Sequence, residues 1–206
     1  MKKRPIFLLA AIVAVCVFFS GALSACSKPG SDRTVGLSGN YFVTYTDRYS
    51  TMFIVARWGD ELFTKQSLSE PNTYVEKAYY PTDSGWEVYL KNGDRWLSYG
   101  TEDNLDDAIS SMLGPVVQAT EKINSGAAAK TGKTSSELTT GAFKDKTVVE
   151  YMDAQTSETY WVLDGFGVIY MAYAQNDVFT LAEYYPNINE QTFRDYCMPA
   201  RDEIGE

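Results

Sequence analysis

The cysteine in Leu23-Ser24-Ala25-Cys26 is the side chain best placed for covalent chemistry. An aliphatic residue and two small ones precede it, and the chemistry would be acylation of its thiol. The other two cysteines, Cys16 and Cys197, lie in unrelated surroundings, and the chain contains no histidine at all. Without histidine there is no Ser-His-Asp or Cys-His activation, no imidazole-ligated zinc and no imidazole base. An enzyme built here would depend on Asp, Glu, Lys, Tyr and Ser alone, and no nucleophile motif stands out. The expectation is therefore a protein that is not an enzyme and carries no cofactor and no metal.

Three other patterns resemble chemical sites and are discounted. Ala127-Ala128-Ala129-Lys130-Thr131-Gly132-Lys133-Thr134 fits a relaxed phosphate-loop pattern. That chemistry needs a strand before the loop and a helix after it, so that backbone N–H groups converge on phosphate. A polar helix end precedes this segment and Ser135-Ser136-Glu137 follows it, so no nucleotide partner is expected. Glu102, Asp103, Asp106 and Asp107 form an acidic cluster without the loop order of a calcium site, and helix capping accounts for them. Twenty-seven acids give too many carboxylate pairs for any to mark a glycosidase.

The surroundings of Cys26 explain why that thiol matters. Lys2, Lys3 and Arg4 are followed by an apolar run from Ile6 to Phe19, the order of an export signal. The run ends at Leu23-Ser24-Ala25-Cys26, which resembles the bacterial lipobox. That resemblance implies a thiol at the bilayer edge, small residues for a dedicated signal peptidase, and a mature chain beginning at Cys26. Ile6 to Ala25 is also long enough to span a bilayer uncleaved, but the basic flank and the cysteine stop favour a lipoprotein signal over 1–25. Each buried methylene contributes about 0.8 kcal/mol, so palmitate-type chains on Cys26 would hold the protein to a membrane. Residues 26–39 read as a flexible polar tether, and its thirteen residues after Cys26 would average roughly 20 Å end to end. Ser27 is not the Asp that often signals inner-membrane retention. The expected location is extracytoplasmic, anchored to the cell membrane, or to the outer membrane if the host has two.

The chain carries −9, and loss of Lys2, Lys3 and Arg4 with the signal leaves −12. Such a body repels nucleic acid and anionic headgroups. Cys197 alone remains as a free thiol, so no intrachain disulfide is available. Fifteen Tyr, ten Phe and four Trp favour strands.

These chemistry-bearing positions need elements to hold them, and period-2 alternation dominates. Tyr41, Val43 and Tyr45 share a strand face. Met52, Ile54, Ala56 and Trp58 share another, with Phe53, Val55 and Arg57 opposite. Further strands are expected over 62–68, 73–80, 86–90 and 95–99, with turns at Gly59-Asp60 and Asn92-Gly93. Leu105, Ala108, Ile109, Met112, Leu113 and Val116 then recur at helical spacing, capped by Asp103. Gly114-Pro115 should break this helix and start a second one over 115–123. Residues 124–146, rich in small residues and lysine, read as a mobile surface loop. Strands resume over 147–152, 159–163, 168–174 and 178–185, and Asn189 should cap a helix over 190–196. The expected fold class is α+β: a strongly curved antiparallel sheet, a half-open β-barrel of about ten strands, with a short helical lid. Residues 40–206 form a single β-rich globular domain.

Several strand-and-turn stretches carry a family resemblance. They are Tyr41 to Thr46, Ala56-Arg57-Trp58-Gly59-Asp60, Trp86 to Leu90, Trp96, Thr147 to Tyr151 and Tyr160 to Val168. Together these resemble the LolA/LolB-like, lipoprotein-carrier-like group over roughly residues 40–185. The resemblance implies an unclosed barrel enclosing an apolar cavity under a helical lid. Trp86, Trp96 and Trp161 then become candidates for the cavity wall, and Ile109, Met112 and Leu113 for the lid. Position by position, a Trp in a strand and a Leu/Ile/Met stripe on a helix are more commonly ordinary core. The leading expectation is a membrane-anchored protein that binds or carries a hydrophobic ligand or acyl chain. The alternative is a non-catalytic structural or interaction protein of the cell envelope with a filled core.

Overall fold

In the computed structural model, the described residues are 37–70, 72–139, 143–173 and 178–204. The expected signal, Cys26 and the tether up to residue 36 lie outside them. Six strands come first: β1 (Tyr41–Asp47), β2 (Met52–Trp58), β3 (Glu61–Ser67), β4 (Tyr74–Thr82), β5 (Gly85–Asn92) and β6 (Arg95–Glu102). Helix α1 (Leu105–Asn124) follows. Then come β7 (Ala128–Ser135), β8 (Val148–Asp153), β9 (Thr159–Leu163), β10 (Gly167–Ala172) and β11 (Val178–Pro186). The chain ends with α2 (Glu190–Tyr196) and a 3-10 turn, Arg201–Glu203.

All eleven strands join one antiparallel sheet in the order β6-β5-β4-β3-β2-β1-β11-β10-β9-β8-β7. β1 and β11 close the two halves against each other, and β6 and β7 are the free edges. Laid flat, eleven strands at about 4.8 Å spacing would be roughly 48 Å wide. A twenty-residue helix is only about 30 Å long. Yet α1 touches β2, β3, β7 and β10, so the sheet curls round it. The architecture is an open, curved α+β half-barrel.

Alternation divides the sheet into two apolar faces. Tyr41, Val43, Tyr45, Val55, Leu62, Tyr79, Tyr160 and Met171 join Leu105, Ala108, Leu113, Val116 and Ala119 of α1 in the larger core. Tyr45 stacks on Phe179 with ring centroids 5.2 Å apart. Its hydroxyl donates to the Val168 carbonyl at 2.6 Å. The far end of α1 is fastened by Lys122, whose ammonium lies 2.9 Å from Asp153 and 2.6 Å from Glu158. The buried Tyr160 hydroxyl donates to the same Glu158 carboxylate at 2.5 Å.

On the opposite face Ala56, Phe63, Ala78, Tyr80 and Tyr89 pack against Ile188, Phe193, Met198 and Ile204 of the C-terminal segment. The Tyr80 hydroxyl donates to Pro199 O at 2.7 Å. The Arg194 guanidinium grips both oxygens of Glu61.

Three sequence expectations change, and the helix interruption holds. Residues 124–146 are not one surface loop: they contain the end of α1 and the eleventh strand, β7, paired with β8. Its Ala, Gly and Thr residues show no strand alternation, because an edge strand with one neighbour needs little apolar surface. The expected interruption at Gly114-Pro115 is present: α1 is two helical segments joined across a kink, where Leu113 takes the non-helical φ −116° and ψ 30°. Asn104, not Asp103, caps it by accepting from Asp106 N at 3.0 Å, with Asp106 and Asp107 in the positive first turn. The sixth strand continues past Tyr99 to Glu102.

Candidate functional site

The sheet registers build a trough across the face that carries α2. One row of side chains on that face runs Tyr185, Phe42, Ala56, Phe63, Ala78 and Tyr89, each paired with the next across β11, β1, β2, β3, β4 and β5. It is apolar, and the C-terminal segment lies over much of it. The neighbouring row runs Glu183, Thr44, Ile54, Lys65 and Glu76. Lys91 of β5 carries the row on through its ion pair with Glu76, and pairs with Trp96 of β6. This second row lies beyond the cover and forms a polar margin.

Two adjoining cavities occupy the gap. The first, about 450 Å³, is lined by Phe42, Ile54, Phe63, Ile188, Tyr185, Tyr196 and Cys197, with Lys65, Glu183 and Thr192 at its polar points. The second, about 350 Å³, shares Phe63, Lys65, Tyr196 and Cys197 and continues to Glu76, Lys91, Trp96 and Arg194. The first cavity, with apolar walls and a few polar groups, has the usual build of a small-molecule pocket, while half of the residues lining the second are charged. Tyr196 is 77% exposed and Tyr185 54%, so two aromatic rings stand at the mouth in water.

At its Glu76 end the charges of the margin are paired. Lys65 lies 3.0 Å and Lys91 3.2 Å from the Glu76 carboxylate, which binds both. Lys65 also sits 4.1 Å above the Tyr74 ring. Thr44 is the exception: its hydroxyl is buried with no hydrogen-bond partner, between Ile54 and Glu183. Burial pushes the Cys197 thiol from 9.0 up to about 12. That makes it a poor nucleophile at neutral pH, since the thiolate is the reactive form.

The candidate cavity residues named from sequence are divided by the fold. Trp86, Trp161, Ile109 and Met112 are half-buried against the large core around α1. Leu113 is wholly enclosed there, at 0% exposure. The Trp86 indole N–H donates to Asp60 O at 2.7 Å. Trp96 lies on the other face and lines the trough. The trough's remaining walls, Phe42, Ile54, Phe63, Ile188 and Tyr196, were not singled out by the sequence. Their signal was the alternate face of the first strands, which reads as ordinary core until the short C-terminal helix is known to cover only part of it.

The phosphate-loop-like segment is itself strand β7, antiparallel to β8, and its Thr131 donates to the buried Glu150 at 2.7 Å. Its backbone N–H groups therefore do not converge at a helix start. Among the described residues no helix is long and apolar enough to cross a membrane.

The fold places the chain among α+β proteins made of one open, curled antiparallel sheet. No protein-family model and no curated protein matches it. Among solved structures it is similar to LprF from Mycobacterium bovis. The identity is 12%, over 73% of this chain and 87% of that one, with a TM-score of 0.37. An overlay that loose carries no argument about ligand or role.

Proposed function

We propose that this chain is a lipid-anchored, non-catalytic binding protein that holds a hydrophobic ligand or acyl chain outside the cytoplasm. The anchor follows from the basic-apolar start and the Leu23-Ser24-Ala25-Cys26 stop. The binding role rests on one observation, the apolar trough of about 450 Å³ between the sheet and α2. The core around α1, by contrast, encloses Leu113 completely, so a ligand on that side would have to displace packed side chains. The aromatic rim of Tyr185 and Tyr196 suits an amphiphile whose tail enters while its polar end stays wet. A LolA/LolB-like relationship is part of this proposal, with the binding surface moved to the outer face.

Two experiments test it. Metabolic labelling with a fatty acid should tag the native chain and not Cys26→Ala, and unlabelled native chain would remove the anchor. The Cys26→Ala protein should take up a fluorescent fatty acid and lose it in Ile54→Trp, whose indole fills the trough. Uptake that ignores Ile54→Trp, or no uptake at all, would remove the binding role.

A further inference from the structure

The two free edges of the sheet are treated differently. β7 carries Lys130 and Lys133, and its pairing with β8 is interrupted between Lys130 and Thr134. Lysines and irregularities are the usual means of preventing strand addition at an edge. β6 has a slip of its own, at Tyr99, but carries no lysine. Its eight residues are exposed or half-buried, with Leu97 at 47% and Tyr99 at 63% exposure.

The ends of β6 are oppositely charged, Arg95 at the start and Glu102 at the finish. Among the described residues, neither has an ion-pair partner within the chain. In a regular strand two residues seven apart would point to opposite faces. Here the register with β5 slips at Tyr99: Tyr89 pairs with Ser98 and Val88 with Gly100. The extra residue restores the phase. Glu102 pairs with Trp86, on the α1 face. Arg95 alternates with Trp96, which lies on the α2 face, so Arg95 also belongs to the α1 face.

We propose that β6 pairs antiparallel with the β6 of a second copy of this chain about a two-fold axis, Arg95 of each facing Glu102 of the other. In that register Trp96 meets Thr101 and Leu97 meets Gly100, both matched in face, while Ser98 meets Tyr99 across the axis, at the slip itself. The small Gly100 leaves room for Leu97. Two bodies of net charge −12 repel at a distance, but salt screens that repulsion beyond about 8 Å, while the two Arg–Glu pairs act at contact. The pairing gives the free backbone groups of β6 partners and brings the Trp96 ends of two troughs side by side.

Sedimentation of the full chain in density-matched detergent, over a concentration series, tests this. The native chain should form a dimer. Arg95→Glu and Glu102→Arg should each weaken it roughly tenfold, because the axis repeats a like-charge contact twice. The double reversal Arg95→Glu with Glu102→Arg should restore the dimer. Circular dichroism should be unchanged throughout, since Arg95 is exposed, Glu102 is half-buried at the strand end, and among the described residues neither is in an ion pair. A native chain that stays monomeric, or is found with a foreign strand on β6, overturns the proposal. So does a dimer indifferent to the single reversals, or a double reversal no better than either single.

Discussion

Phe193→Ala should release the C-terminal segment without unfolding the sheet. Phe193 is fully enclosed, at 0% exposure, among Ala56, Phe63, Ala78 and Tyr89 below α2. A seven-residue helix has little stability of its own, so it stays helical only while docked. Truncating a buried Phe to Ala costs about 3–5 kcal/mol. At about 1.4 kcal/mol per decade, undocking becomes more frequent by roughly two to three and a half orders of magnitude. Cys197 follows α2 directly and reports the event. Docked, its thiol is held up at about 12 by burial. Released, it returns toward 9.0 and reacts through its thiolate. With Cys16 and Cys26 both replaced by alanine it is the only thiol, so its reaction rate with a disulfide reagent at pH 8 measures undocking alone. The rate should rise at least a hundredfold in Phe193→Ala and by less in Phe193→Leu. An unchanged rate with a lowered urea midpoint would refute the reasoning, because α2 would then open only when the whole sheet does.

Tyr45→Phe keeps the ring on Phe179 but leaves the Val168 carbonyl without its 2.6 Å donor. It should lower unfolding stability by about 1–3 kcal/mol in urea titration. Lys122→Met leaves Asp153 and Glu158 facing each other without their cation. Hydrogen exchange should speed up over 117–124 while 105–112, beyond the kink, changes little. The same cluster predicts an acid limb. The Lys122 hydrogen bond, with the Gln155 N–H, holds Asp153 at about 2 against an ordinary 3.8. Burial pushes Glu158 up, but hydrogen bonds from Lys122 and Tyr160 outweigh it and hold the carboxyl down. Both carboxyls are lowered from ordinary values of 3.8 and 4.5, so their stabilisation is complete above about pH 5 and is lost as pH falls toward 2. Thermal melts from pH 6 to 2 should show this loss, and Lys122→Met should flatten it.

The strands were legible where alternation had to serve two faces. In Tyr41 to Tyr45 and Met52 to Trp58 every second residue is large and apolar because both faces are covered, and the sequence shows it directly. The Asn189 cap and the helix over 190–196 were equally readable, since Asn189 accepts from Thr192 N as capping chemistry requires. β7 was not readable. With one neighbour and a solvated surface it needs only Ala128 buried, and Ala128-Ala129-Lys130-Thr131 carries no period to detect. The interruption at Gly114-Pro115 was readable, and the two helical segments meet there. Proline removes one hydrogen bond, and the surrounding core, with Leu113 and Val116 both buried, holds the axis together through a kink. The trough was hidden because it depends on how far two distant segments overlap. Phe42 and Ile54 look like core from their own strands and remain partly uncovered only because of where residue 188 onward comes to lie.

That overlap follows from lengths. The α1 face is closed by a twenty-residue helix around which the sheet curls, so its apolar row is sealed from Leu105 to Ala119. Among the described residues, the opposite face has only the seven residues of α2 and a short turn to cover it. A helix of that length is about 10 Å long, while the row from β11 to β6 crosses seven strands, close to 29 Å at about 4.8 Å each. The cover can bury one patch, centred on Phe193, and must leave apolar surface beside it. A sheet curled tightly round a long helix and served by a short one on its back will therefore carry its accessible apolar groove on the back. Lengthening α2 at its C-terminus should close the trough and abolish ligand uptake while raising stability. Uptake that survived such an extension would place the ligand on the α1 side after all.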